Sequence, residues 1–170
     1  MKIFCFDAET DGLYGEVWAI GAVVLDDDMV THSFGYRLDA DVVTDPWVRR
    51  CVVPAVVGHI GTAESREQML DGFWEFWTEH RDDALAVADF GAPVEAGLFR
   101  ACVELDRENR QWLGPYPLHE LGTALLAAGV DPDVDRRAFC SRPSDLPNHN
   151  PVGDSVTSGR CWWQVMGGRT

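Results

Sequence analysis

Lysine is nearly missing from this chain. Lys2 is the only one, and 14 Lys and Arg stand against 28 Asp and Glu, for a formal net charge of −14. Tight nonspecific binding to duplex nucleic acid relies on many Lys and Arg contacts with phosphates, so a protein that slides along duplex is excluded. A protein that borrows positive charge from bound cations is not. Cysteine pairing is missing too: Cys5, Cys51, Cys102, Cys140 and Cys161 are odd in number and scattered, with no Cys-x-x-Cys pair or His/Cys ladder to hold zinc. They read as reduced core thiols of a cytoplasmic protein. No apolar run is long enough to span a bilayer, and Met1-Lys2-Ile3-Phe4 enters an apolar strand without the charged region and cleavage site of a secretory signal. The expectation is a soluble, intracellular protein with no membrane partner. What is present, 170 residues of which 46% are hydrophobic, suits one domain, 1–170, with a substantial core.

Lys2 to Phe6, Val17 to Leu25 and Thr31 to Leu38 are β-rich runs separated by Gly and Asp, which predicts an antiparallel meander with short turns. Asp45-Pro46 starts a segment through Val56, and Thr62 to His80 carries Met69, Leu70, Phe73, Trp74, Phe76 and Trp77 at helical spacing. Ala84 to Phe90 reads as a short buried strand, and Pro93 to Leu105 as a helix with proline at its first position. His119 to Gly129 reads as a helix ended by glycine. The Pro-, Asp- and Arg-rich stretch from Asp131 to Asn148 reads as irregular, and Pro151 to Met166 as a closing helix capped by Asn150. The alternation implies an α/β layer fold.

The chemistry-bearing residues lie at the edges of these elements. Asp7 and Glu9 are two apart on a strand, so their carboxylates point the same way just beyond an anchoring apolar run. His149-Asn150-Pro151-Val152-Gly153-Asp154 sits near the far end and puts a histidine and a carboxylate at the start of the last helix. Taken alone, the first pair also reads as two solvated acids at a strand end, and His149 as a surface residue. Together they suggest carboxylates brought onto divalent metal with a histidine beside them, equipment for hydrolysing a phosphodiester.

Phe6-Asp7-Ala8-Glu9-Thr10-Asp11-Gly12-Leu13, followed by Ala19-Ile20-Gly21-Ala22-Val23 in the next strand, resembles the first motif of the DEDD superfamily of 3′-to-5′ exonucleases, which includes polymerase proofreading subunits, oligoribonuclease and RNase T. The His149 to Asp154 spacing resembles the third motif of its histidine-containing branch, DEDDh. The resemblance spans nearly the whole chain and implies an RNase H-like exonuclease fold: a mixed central sheet with an antiparallel N-terminal meander and flanking helices. It departs at the middle motif, where the family has an aspartate at a helix start and this chain reads Gly91-Ala92-Pro93-Val94-Glu95-Ala96-Gly97-Leu98-Phe99. Register favours Glu95 as the middle acid, with Asp89 the alternative; an acid in a first helical turn also complements the helix dipole whatever the function.

The resemblance further implies that Asp7, Glu9, Asp154 and Glu95 hold two Mg²⁺ or Mn²⁺ about 4 Å apart, with His149 the general base. The substrate implied is single-stranded or short RNA or DNA with a free 3′ end, cut to nucleoside 5′-monophosphates. Thr10, Gly12, Leu13 and Tyr14 would lie along the terminal nucleotide, and homodimers are common among such enzymes. Arg136, Arg137 and Arg142 either meet phosphates or balance Asp131, Asp133 and Asp135. Two alternatives stand beside the exonuclease: a catalytically weak relative that binds nucleotides or a protein partner, which the Glu95 departure keeps open, and a phosphoesterase for small nucleotides.

Overall fold

A computed structural model describes residues 2–167. Six strands form one sheet in the order β4-β3-β2-β1-β5-β6. β1 (Lys2–Thr10), β2 (Val17–Asp26) and β3 (Met29–Arg37) are the expected antiparallel meander. β5 (Ala84–Ala88) runs parallel to β1, so the sheet is mixed. Two-residue strands extend both edges: β4 (Gly61–Thr62) beside Tyr36 and Arg37, and β6 (His119–Glu120) beside Val87 and Ala88. Neither carries an apolar run of its own, since a two-residue strand is defined by its partner.

Alternation on β1 divides the core in two. Phe4, Phe6 and Ala8 point to one face, where α3 (Arg66–His80) and α4 (Ala96–Leu105) bring Phe73, Trp74, Trp77, Leu98 and Phe99. Ile3 and Cys5 point to the other, against α8 (Pro151–Met166) and α6 (Leu121–Ala127), which bring Cys161, Trp162, Leu121 and Leu125. Burying one such large side chain contributes about 1.5–3 kcal/mol, so the two layers fix the strand from both sides. Trp74, Trp77 and Trp162 are buried, which is the packing role their spacing implied. Cys5, Cys102, Cys140 and Cys161 are buried and Cys51 half-buried.

Several local boundaries differ from the expected ones. Thr62 belongs to β4; α3 starts at Arg66 because Ser65 accepts from the Gln68 N–H and Gln68 reaches back to the Glu64 N–H, a reciprocal N-terminal cap. β5 ends at Ala88, short of Phe90. Pro93 does not start α4: it follows a cis peptide from Ala92 inside a wide turn, Gly91–Glu95, in which the Ala96 N–H reaches the Gly91 carbonyl. α6 begins at Leu121, its first two expected residues forming β6. The 131–148 connection contains one short helix, α7 (Arg136–Phe139), capped by Asp135 accepting from the Ala138 N–H. Short helices α1 (Pro46–Cys51) and α2 (Val53–Val56) lie between β3 and β4, and α5 (Arg107–Arg110) follows α4.

Candidate active site

The carboxyl ends of the parallel neighbours β1 and β5 open side by side, a position where sheets of this kind gather ligands. Asp7 and Glu9 extend beyond Ile3 and Cys5 on the α8 face, with an irregularity in pairing at Glu9/Thr10. Opposite Asp7 in register is Gly21, and a Cβ there would fall 2.2 Å from both the Pro151 carbonyl carbon and the Val152 nitrogen. Glycine at 21 therefore lets the first turn of α8 rest directly on β2. Ser155 fastens it, its hydroxyl donating to the Gly21 and Pro151 carbonyls at 3.1 and 2.6 Å. Asn150, fully buried, accepts from the Gly153 N–H and donates to the Ala55 carbonyl at 2.9 Å, joining the start of α8 to α2.

These anchors deliver Asp154 and His149 to the acid pair. His149 has a positive φ of 65°, and its N–H donates to Asp154 Oδ2 at 2.9 Å. Ligand atoms of Glu9, His149 and Asp154 lie within 4.8 Å of one another, close enough to share one cation. Asp7, His149 and Asp154 line a cleft of about 240 Å³ together with Asp89, Arg136 and Arg137. The wide turn after β5 positions Glu95, buried, at the start of α4.

Electrostatics tie the four acids into one unit. Burial, then Glu9, Asp154, Glu95 and Asp89, hold the Asp7 carboxyl well above the usual carboxylate range. Burial together with Asp154 and Glu95 pushes Glu9 up to about 8. Burial raises Glu95 to about 7, with Asp89 and Glu120 adding to it. Asp154 is raised to about 6 by burial, opposed by the Arg137 guanidinium and the His149 N–H. Crowded like charges in a desolvated site need a cation to ionise together, and oxygen donors suit a hard divalent ion. The residues thus fit Mg²⁺ or Mn²⁺.

Asp89, the alternative middle acid, is already partnered. Arg136 Nε and Nη2 approach its carboxylate at 2.9 and 2.7 Å, and Ser158 Oγ donates at 3.3 Å. Arg136 also donates to the Val134 and Pro132 carbonyls. Arg137 donates to the Ser144 and Leu146 carbonyls and stands 3.8 Å from Asp154; Arg142 pairs with Asp28. The arginines therefore balance acids, but Asp89, Asp154 and Asp28 in place of Asp131, Asp133 and Asp135.

The loop after β1 is a tight turn in which Gly12 takes a φ of 80°. Leu13 and Tyr14 are 62% and 85% exposed, which removes Leu13 from the core. With Thr10 they line a groove of about 390 Å³ shared with Pro93, Gly97 and Arg100. Two residues that sequence reasoning missed shape this side. Asp11 accepts from the Thr44 hydroxyl at 2.6 Å and from the Thr44 and Asp45 N–H groups, and the Thr44 hydroxyl foremost holds its carboxyl below the usual range. Asp45 in turn caps α1, whose Trp47 faces the His149 ring. Asp45-Pro46 marked that helix start, but nothing local in the sequence joins it to residues 11 or 149.

No family model matches the chain, and no curated protein does either. Among solved structures it resembles exonuclease X in complex with 5′ overhanging duplex DNA, at a TM-score of 0.52 and 16% sequence identity over 98% of this chain and 92% of that one. That likeness shows the fold alone, a mixed six-stranded α/β sheet with flanking helices of RNase H-like type.

Proposed function

We propose that this protein is a divalent-metal-dependent 3′-to-5′ exonuclease acting on single-stranded or short nucleic acid and releasing nucleoside 5′-monophosphates. The observation that carries the reading is the convergence of Asp7, Glu9, Glu95 and Asp154, each raised in pKa by burial, beside His149 at the carboxyl ends of β1 and β5. Asp7, Glu9, Glu95 and Asp154 would hold Mg²⁺ or Mn²⁺, which when bound supplies positive charge against that developing on the phosphate oxygens. His149 accepts a proton from the attacking water at a ring nitrogen, a task suited to imidazole near neutral pH. Trp47 holds that ring from the side, and the His149 N–H fixes the Asp154 carboxylate. Thr10, Leu13 and Tyr14 border the groove for the terminal nucleotides, with Gly12 making the turn that sets them there, and the exposed Leu13 and Tyr14 present surface for a base to stack on.

A second reading, a phosphoesterase for small nucleotides, draws on the two cleft arginines. Both are held by internal acceptors, which leaves the cleft little cationic surface for a long strand. A time course on 5′-labelled RNA and DNA oligomers with Mg²⁺, Mn²⁺ or EDTA, run beside a thymidine 5′-aryl phosphate and with Asp7→Ala as control, separates the two. A metal-dependent ladder shortening from the 3′ end supports the exonuclease. Cleavage confined to the aryl ester supports the phosphoesterase, and no cleavage of either overturns both.

A further inference from the structure

The outer edge of β3 lies on the far side of β2 from the acid cluster. β3 pairs with β2 along its length, but its other edge is paired only at Tyr36 and Arg37, by β4. Met29 through Ser33 are exposed, and the segment Met29-Val30-Thr31-His32-Ser33-Phe34-Gly35 has none of the Lys, Pro or inward charges that commonly blunt a free strand edge. Unpaired N–H and C=O groups there are a template for another strand.

Alongside this edge runs a groove of about 740 Å³ between β3 and α3. Its floor is aromatic: Phe34 lies 5.2 Å from Tyr36 and stacks on Phe76 at 5.8 Å between ring centres. Its wall is acidic, for α3 presents Glu67, Asp71, Glu75 and Glu79 into the groove at every fourth residue. Like charges at that spacing repel by a few tenths of a kcal/mol per pair. Arg110 pairs with Asp71 at 2.7 Å, whereas among the described residues Glu67, Glu75 and Glu79 form no ion pair. The contacts of His32 with His80 and of Phe34 with Phe76 run α3 back along β3. Acids four apart on a helix recur about every 6 Å, and same-face side chains of a strand about every 6.6 Å. The two spacings nearly match.

We propose that this groove receives a basic, extended segment of a partner protein, which pairs with the β3 edge as a further strand and sets alternate Lys or Arg side chains against Glu75 and Glu79. Strand addition of this kind draws affinity from main-chain hydrogen bonds and specificity from alternate side chains. The charge excludes nucleic acid from the groove. It also disfavours a second copy, because antiparallel pairing of two β3 edges would bring two acid rows together on one face. The surface is independent of the catalytic reading.

The test uses capped eight-residue peptides of alternating Lys-Val and Glu-Val, titrated calorimetrically into the full chain and followed by amide hydrogen exchange. Expected are binding of the Lys-Val peptide that weakens with salt, protection over residues 29–35, and at least ten-fold weaker binding to both E75K/E79K and E75Q/E79Q, with nuclease activity unchanged. The neutral pair covers the case in which charge reversal perturbs folding. Equal binding of the Glu-Val peptide, protection elsewhere, unchanged affinity in both variants, or no binding overturns the proposal. So does concentration-dependent dimerisation of the peptide-free protein with protection of the same strand, which would assign the edge to a second copy.

Discussion

Trp47 meets His149 edge to face, with ring centres 5.5 Å apart and planes at 83°. Among the described residues the imidazole makes no hydrogen bond to a carboxylate that would orient it, so this indole, from a helix clasped by Asp11 through Thr44 and Asp45, is its lateral support. Aromatic contacts of this kind contribute about 0.5–1.5 kcal/mol. Trp47→Ala is expected to lower kcat about two- to ten-fold with little change in metal affinity, and Trp47→Phe to retain most of the rate. Equal loss in both variants would point to a requirement for the indole itself.

His149→Ala should lower the rate at neutral pH by about 10²-fold or more while the protein still folds and still binds Mn²⁺. Paired kinetics and Mn²⁺ titration check this. If metal affinity falls in step with activity, His149 serves as a ligand beside Glu9 and Asp154 and the base lies elsewhere.

Glu95→Gln and Asp89→Asn should fail in different ways. Glu95→Gln removes a buried acid coupled to Asp7 and Glu9, so the Mn²⁺ concentration needed for half-maximal rate should rise at least ten-fold. Asp89→Asn leaves the mostly buried Arg136 guanidinium without its counter-charge, an unpairing that costs about 3 kcal/mol, read as a lower urea midpoint with a smaller change in metal requirement. The reverse pattern would make Asp89 the ligand.

The metal-free protein should lose stability as pH rises. Glu9, Glu95 and Asp154 titrate in the fold at about 8, 7 and 6, against roughly 4 in an unfolded chain. Between about pH 4 and 8 the folded state therefore binds more protons than the unfolded one, and its stability falls with rising pH. Tm in EDTA should drop by a few degrees from pH 5.5 to pH 8, and Mn²⁺ should raise Tm more at pH 8, where fewer of the carboxyls must lose a proton to bind it. A flat EDTA profile would falsify the shared-acid account.

Gly21→Ala should be costly for so small a change. Its methyl group would meet the Pro151 and Val152 backbone at 2.2 Å, contacts that no side-chain rotation relieves, so α8 must lift from β2. Overpacking of this order costs about 1–3 kcal/mol, and because Asp154 and His149 ride on that turn, activity should fall further than stability. Gly114→Ala, where a Cβ meets nothing within 4 Å, is the control.

Patterns that repeat locally were readable. The alternation of β1 put Asp7 and Glu9 on one face, and Asn150-Pro151 marked the start of α8, because strand period and cap chemistry are properties of a few adjacent residues. Ser65 and Gln68 are equally local signals of the α3 start, whereas the apolar spacing, which begins only at Met69, marks no boundary between Thr62 and Arg66. Partnerships across the chain were not readable. Nothing near Asp89 announces Arg136, and nothing near His149 announces Trp47. The wide turn that carries Glu95 is held by Glu120 accepting from the Gly91 N–H at 2.7 Å, a partner 29 residues away that nothing beside Pro93 announces.

The acid cluster draws Asp7 and Glu9 from the first strand, Asp154 from the last helix and His149 from just before its cap, with α8 seated across β1 and β2 through Gly21 and Ser155. During synthesis, therefore, the sheet can pair and the α3 layer can close while the cluster still lacks His149 and Asp154 and Ile3, Cys5 and Leu25 still await the cover of α8. On the proposed reading, a chain cut before His149 would be conspicuous as an exposed apolar sheet face and would lack the proposed metal site, so incompleteness and inactivity would coincide.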